Sequence, residues 1–372
     1  MKTKLCALLL ALCAIFSLSA CGGDATPSEE ETENPILQNE DGIRFQLIED
    51  TYAVVGYKGT KTEVTVPAVF EGVAVTALAS DAFYGNAKIT AVSLPASITE
   101  ISPFALAACQ SLTSLSVAAD NPVYQSKGNC IIKGDVLITT CPGSDLSVLT
   151  VTEIGDYAFY GATDSKIVLP ATVKKIGRYA FAFTTAQQVS LPEGLETVED
   201  GAFYFARNLT ALALPASLSS FKQDSFAYCT SLQSITVAEG NTTYTAKDNC
   251  LIRIADKTLV MGCAKSKIPS DGSVTKIGPA AFAGAVSLES ITIPASVTEI
   301  GKNAFYATAL TRAYFEVNRW YVSADDGAVI GTAIDTKNLL SETGRPMSSE
   351  QVVVYNARLL REGYAQMKWF TK

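Results

Sequence analysis

Two apolar residues three apart, followed two positions later by a third apolar residue and often by Pro, recur along this chain. Leu209, Leu212, Leu214 and Pro215 match Leu288, Ile291, Ile293 and Pro294, and also Ile89, Val92, Leu94 and Pro95; Leu112, Leu115, Val117 and Leu232, Ile235, Val237 lack the Pro. The two-residue alternation at the end of each block predicts a half-buried strand. A second apolar pair follows each strand, and five residues beyond its last member stands an aromatic anchor. The anchors are Phe83, Phe159, Phe181, Phe203, Phe226, Phe282 and Phe305, with Leu106 in one repeat, and nearly all follow Ala. Leu78, Ile101, Ile154, Ile176, Val198, Phe221, Ile277 and Ile300 hold the position five before each anchor without exception. Anchors recur every 22 or 23 residues except across two long intervals, Leu106 to Phe159 and Phe226 to Phe282. One such unit cannot cover its own apolar edge, so the units must stack and the stack must be the core.

The two long intervals contain matching insertions. Cys109, Asn121, Tyr124, Asn129 and Cys130 align with Cys229, Asn241, Tyr244, Asn249 and Cys250, each offset by 120 residues. In each, a short apolar run (Ile131, Ile132; Leu251, Ile252) meets another (Val136, Leu137, Ile138; Leu259, Val260, Met261) across a polar turn, as a hairpin does. Gly134 and Asp135 form the first turn, and the inserts end near Cys141 and Cys263. A larger unit has therefore been duplicated.

With these residues in view, the chain resembles the BspA-type (Treponema pallidum-type) leucine-rich-repeat proteins over about residues 43 to 330. The resemblance lies in the Leu-x-x-Leu-x-Leu strand, the Leu-Pro or Ile-Pro strand end, and an Ile-Gly followed by Ala-Phe, as in Ile154, Gly155, Ala158, Phe159, Gly161 and in Ile300, Gly301, Ala304, Phe305. It implies a leucine-rich-repeat solenoid: a mostly β, α/β-horseshoe-like array with a parallel sheet of 22–23-residue repeats and two β-hairpin insertions. It also implies a non-enzymatic protein of the surface or envelope that acts in adhesion or cell contact.

The N-terminus carries a different message. Lys2 and Lys4 precede an apolar run from Leu5 to Phe16, too short to span a bilayer comfortably and shaped like a secretory signal. The run ends in Leu18, Ser19, Ala20, Cys21, Gly22, which resembles the lipobox of bacterial lipoproteins. That resemblance implies cleavage before Cys21 and acylation of Cys21 by diacylglycerol and a further acyl chain such as palmitate, anchoring the chain to a lipid bilayer. The alternative is an ordinary signal peptide ending at Ala20 with Cys21 incidental. The next stretch is Gly-, Pro- and Glu-rich without an aromatic residue and reads as an unfolded acidic tether. The expected divisions are signal peptide 1–20, tether 21–41, N-terminal hairpin cap and first strand 42–75, solenoid 76–312, and C-terminal cap and tail 313–372. Phe45, Leu47, Tyr52, Val54 and Tyr57 alternate around Glu49 and Asp50 as the cap hairpin, and the tail from Ser349 reads as a helix carrying Val353, Leu359, Leu360 and Tyr364.

Charge and composition narrow the chemistry. The chain has 372 residues, a formal net charge of −8 and no His. An acidic chain offers no overall basic surface to nucleic acid. Without His, the Ser-His and Cys-His nucleophile pairs and the usual zinc sites are excluded. No catalytic, metal or cofactor site is expected. Ser219, Ser220, Phe221 and Lys222 satisfy Ser-x-x-Lys, but Phe221 fills a repeat core position and no companion motif accompanies it. Asp325 and Asp326 before Gly327 read as a turn, with cation contact as the other reading.

Six Cys lie beyond Cys21, an even number suited to an oxidising compartment. Cys109 and Cys229 follow the anchors and read as buried core thiols. Cys130 with Cys141 and Cys250 with Cys263 are the pairs open to disulfide formation. The outward strand positions (Ser93, Ser116, Val168, Ser190, Ala213, Thr236, Thr292) are small and uncharged, offering little to a ligand. Tyr84, Tyr160, Tyr204 and Tyr306 follow the anchors directly and form the better candidate binding surface, either as packing or as a row of amphipathic rings for a protein or glycan. Three function readings follow: a surface-exposed, membrane-anchored binding protein of adhesion type, a non-catalytic envelope scaffold or assembly protein, and a transporter's solute-binding lipoprotein. The last needs two lobes around a cleft, which the unbroken repeat period disfavours.

Overall fold

The computed structural model describes residues 34–371 except 223, 324–332 and 342. The expected signal peptide, Cys21, the beginning of the tether and the Asp325–Asp326 pair lie outside the described residues. The chain forms two compact units, Met1–Leu149 with Tyr157–Phe159, and Thr150–Asp156 with Tyr160–Lys372. Each is built from stacked turns in which β-structure dominates.

In the first unit the anticipated cap hairpin forms between Ile43–Ile48 and Thr51–Tyr57, turning at Glu49 with a φ of 55°. A third strand, Ile36–Gln38, pairs antiparallel with Ile43–Ile48. The tether expected to run to residue 41 therefore ends earlier, because Leu37 packs against the core built on Phe45, Tyr52 and Val54. Beyond the hairpin, every repeat contributes two strands. Glu63–Thr65, Ala91–Leu94 and Ser114–Val117 form one parallel ladder, with Val64, Val92 and Leu115 in register. Thr51–Tyr57, Val73–Leu78 and Glu100–Ile101 form the second. The apolar residue five before each anchor belongs to that second ladder, which explains why its spacing never varies.

The second unit repeats this plan. Lys166–Val168 pairs with Gln188–Ser190, Ala211–Leu214 with Ser234–Val237, and Ser290–Ile293 with Arg312–Phe315, all parallel. The second ladder runs through Glu153–Ile154, Lys175–Ile176, Thr197–Val198 and Ser220–Phe221. A separate ladder starts on Thr258–Met261 and runs through Lys276–Ile277 and Glu299–Ile300. Turns are bonded layer to layer as well: the Phe181 N–H donates to Ala202 O at 2.7 Å and that of Phe203 to Ser225 O at 2.6 Å. Inside, Phe181, Phe203 and Phe226 stack face to face at 4.8 and 4.5 Å with interplanar angles of 8° and 7°.

Both inserts are three-stranded meanders, one strand richer than the expected hairpins. Gln125–Lys127, Cys130–Lys133 and Val136–Thr140 form the first; Tyr244–Lys247, Cys250–Arg253 and Thr258–Met261 form the second. Each hangs on an Asn that satisfies all its side-chain bonds. The Asn241 amide donates to Pro215 O and Leu218 O at 3.0 and 2.9 Å, and its oxygen accepts from Thr243 N and Tyr244 N at 2.9 and 2.8 Å. Asn121 makes the same four bonds one duplication earlier.

At the C-terminal end the helix Ser349–Arg358 begins with a capping box formed by Ser348 and Gln351. Val352 is its buried valine, whereas Val353 is only half-buried. A further strand that sequence patterning did not announce, Lys368–Phe370, pairs antiparallel with Glu299–Ile300 and with Arg319–Ser323, burying Trp369 beside Trp320. These rings cover the last layer, as a repeat stack requires.

Candidate functional site

The turn around each anchor has a fixed backbone. The residue two beyond the anchor has positive φ in all eight repeats: Gly85 (65°), Ala108 (58°), Gly161 (69°), Phe183 (58°), Phe205 (56°), Tyr228 (62°), Gly284 (77°) and Ala307 (55°). Glycine suits such a position because a Cβ is disfavoured there, and a bulky side chain is an outlier. Three consecutive repeats nevertheless place an aromatic ring at it. Tyr157 and Tyr179, two residues before their anchors, also carry positive φ, of 60° and 51°.

In the second unit these residues collect into one aromatic surface. Phe183 stacks on Phe205 at 5.3 Å, and Phe205 stacks on Tyr228 at 4.5 Å. The column ends on Gly284, where a Cβ would lie 2.7 Å from Tyr228 atoms. Tyr204 joins it edge-on, 6.1 Å from Phe183 and 5.5 Å from Tyr228, and Tyr160 lies 5.3 Å from Phe183. The Arg207 guanidinium sits 4.7 Å from the Phe205 ring centre, a cation–π contact. Burial holds the Tyr204 and Tyr228 phenols protonated above their usual range, with neighbouring phenols and Asp224 adding to the effect. Asp224 is itself raised, by desolvation and then by Asp200. The surface thus presents rings, phenol donors and the overlying Arg207 cation.

The four tyrosines singled out from the sequence divide between the units. Tyr160, Tyr204 and Tyr306 belong to the second, where Tyr306 is 44% exposed and stands within electrostatic reach of Tyr228. Tyr84 belongs to the first, 46% exposed and edge-on to Phe104 at 5.6 Å. Sequence reasoning missed Phe183, which is 45% exposed, and its partners Phe205 and Tyr228. The available signal was that the matching repeat positions hold Gly85, Gly161 and Gly284. The outward strand residues do face solvent, with Ser93 half-buried and donated to by the Ser116 hydroxyl at 2.8 Å.

The remaining candidates have structural surroundings. Ser219 Oγ donates to Glu196 O at 3.3 Å, and Phe221 stacks on Phe226 at 5.2 Å, so the Ser-x-x-Lys match is part of a repeat turn. The six described cysteines are buried thiols. Cys109 donates to Phe83 O at 3.0 Å and Cys229 to Phe203 O at 3.3 Å, and burial pushes these thiols up to about 11 and about 12. No helix among the described residues is long and apolar enough to cross a membrane.

Paired parallel ladders, a 22–23-residue period and layer-to-layer turn bonds define a leucine-rich-repeat protein. The family model for the BspA type leucine rich repeat region matches in six copies, over residues 64–130, 152–254 and 252–323. The chain belongs to the BspA-type leucine-rich-repeat family. Among solved structures it is similar to a leucine rich cell surface protein from Faecalibacterium prausnitzii, at 24% identity over 76% of this chain and 77% of that one, with a TM-score of 0.50. It is also similar to leucine-rich repeat proteins from Eubacterium ventriosum (21% identity, 71% and 68% covered, TM-score 0.46) and Bacteroides ovatus (24%, 75% and 70%, 0.45). No curated protein matches the chain.

Proposed function

We propose that this chain is a lipid-anchored, extracytoplasmic binding protein of adhesion type, held to the membrane through acylated Cys21 and engaging a protein or glycan through the aromatic surface of its second unit. The observation that carries the reading is the run of Phe183, Phe205 and Tyr228 at left-handed backbone positions that other repeats give to Gly or Ala. Such a residue costs about 1–3 kcal/mol of backbone strain, and strain of this kind concentrates at functional surfaces. Stacking among the rings returns part of that cost, but Phe183 keeps nearly half its surface in water. The small outward residues of the strand face supply no comparable anchor. Membrane attachment rests on the Leu18–Cys21 motif, because several buried acyl chains hold a chain stably where one does not.

Two assays address the two halves of the proposal. Labelled palmitate should enter the wild-type chain and not a Cys21→Ser variant, which should be released or misprocessed; equal labelling of both removes the anchor. The mature chain should bind a subset of an array of glycans and extracellular matrix proteins, and absence of binding to any of them contradicts the adhesion reading.

A further inference from the structure

Both inserts hold the same arrangement of sulfur around a serine. Cys130 pairs with Thr140 across the antiparallel ladder, which places Cys141 next to that pairing. The Cys141 sulfur lies 3.6 Å from Ser144 Oγ, and the Cys130 thiol reaches the same hydroxyl. Ser144 Oγ donates to Asn129 O at 2.9 Å and accepts from the Cys141 N–H at 3.1 Å. In the second insert the Cys263 sulfur lies 3.7 Å from Ser266 Oγ, which the Cys250 thiol also reaches. Ser266 Oγ donates to Asn249 O at 2.5 Å and accepts from the Cys263 N–H at 2.8 Å. In each case two buried sulfurs flank one hydroxyl.

The comparison between the inserts separates this arrangement from ordinary packing. Their hairpin turns differ in length and composition, Gly134–Asp135 in one and Ile254 to Lys257 in the other, so Cys130 and Cys141 are 11 positions apart and Cys250 and Cys263 are 13 apart. Through that change both cysteines, the Asn before the first and the Ser three after the second are kept. Carbonyl contacts do not distinguish the cysteines, since Cys109 and Cys229 donate to anchor carbonyls and Cys141 and Cys250 donate to Asn129 O and Lys267 O at 3.4 Å; the serine hydroxyl shared within each insert is the distinguishing feature.

We propose that Cys130 with Cys141, and Cys250 with Cys263, are two disulfide sites, each tying the first strand of its insert to the segment that leaves it. The inference rests on the extracytoplasmic placement proposed above. A disulfide carrier, such as a thiol oxidase or oxidised glutathione, supplies the oxidation. One cysteine thiolate attacks the carrier disulfide and releases one carrier thiol; the second cysteine then displaces the other carrier sulfur from the mixed disulfide. The protein loses two electrons and two protons, and the carrier leaves as two thiols. Burial pushes the Cys130 and Cys250 thiols up to about 11 and about 12, so the attack belongs to folding, before the insert closes over them.

The full chain should be refolded in a glutathione redox buffer, alkylated without reduction, digested and analysed by mass spectrometry, in parallel with protein isolated from cells. The expected result is two linked peptides, 130 to 141 and 250 to 263, with Cys109 and Cys229 alkylated after denaturation. Reduction should lower the melting temperature of the oxidised chain by roughly 5–10 °C and leave a Cys141→Ser, Cys263→Ser variant unmoved. Alkylation of all six cysteines beyond Cys21 after refolding, or any other pairing among them, overturns the proposal. Linked peptides after refolding together with six thiols in the cellular protein would instead overturn the extracytoplasmic reading and leave the pairing standing.

Discussion

Replacing Phe203 by Ala tests the physical basis of the stack. The ring is fully buried, sandwiched between Phe181 and Phe226 at 4.8 and 4.5 Å, and both neighbours lie nearly parallel to it. Truncating a buried Phe costs about 3–5 kcal/mol through lost transfer and a residual cavity. Each stacked partner adds about 0.5–1.5 kcal/mol, and the neighbours cannot close the gap because the turn N–H groups of Phe181 and Phe203 are bonded to the next layer. The loss should therefore fall in the upper part of that range, about 4–5 kcal/mol. For a unit of this size the melting temperature should drop by roughly 10–15 °C in scanning calorimetry. Phe203→Leu keeps most of the volume and should cost about 1.5 kcal/mol. Phe183→Ala, on the half-exposed column, should cost less than about 1 kcal/mol. A Phe203→Ala midpoint within about 2 °C of wild type, or no lower than that of Phe183→Ala, would refute the reasoning.

Three further perturbations follow from particular contacts. Asn241→Ala strips two carbonyls and two N–H groups of their partner at the base of the second insert, and should lose about 2–4 kcal/mol in urea titration while an exposed Asn208→Ala loses under about 0.5 kcal/mol. Gly262→Ala would set a Cβ 2.0 Å from the Phe282 ring, so calorimetry should show about 1–3 kcal/mol of destabilisation that Phe282→Leu partly relieves. The Arg253 fork, bonded at 2.9 and 2.7 Å, holds the Asp256 carboxyl down to about 2. Because the folded value is depressed, this stabilisation is complete above the unfolded value near about 4 and disappears as pH falls through about 2. Solvent screening keeps it under about 1 kcal/mol, and Asp256→Asn should erase that step from the pH profile of stability.

The repeat itself was legible because its signal is redundant: alternation at Leu212 and Leu214, the invariant five-residue gap to the anchor, and Ala before nearly every anchor all specify one register. The second ladder was hidden because strands such as Lys175–Ile176 are two residues long, too short for any periodicity to show. Lys368–Phe370 was hidden for another reason: its partners at Glu299–Ile300 and Arg319–Ser323 are distant in sequence, and its strand state is a product of docking. The tether ended early because Leu37 finds a core face that local composition could not reveal. The aromatic surface was only half visible. Tyr204 and its equivalents recur by type, whereas Phe183, Phe205 and Tyr228 share a backbone conformation, and residue type does not report φ except where Gly85, Gly161 and Gly284 occupy the same position.

The central claim is that the strained rings are held for a partner. Changing Phe183, Phe205 and Tyr228 together to Gly relieves three left-handed outliers while removing three rings, so the loss of stacking and the relief of strain oppose each other in stability. The direct measurement is binding of the full mature chain and this triple variant to the array member that wild type recognises best, with both melting curves recorded. Affinity should weaken by at least about tenfold, with melting temperatures within about 5 °C of one another. Unchanged affinity in the folded triple variant would contradict it.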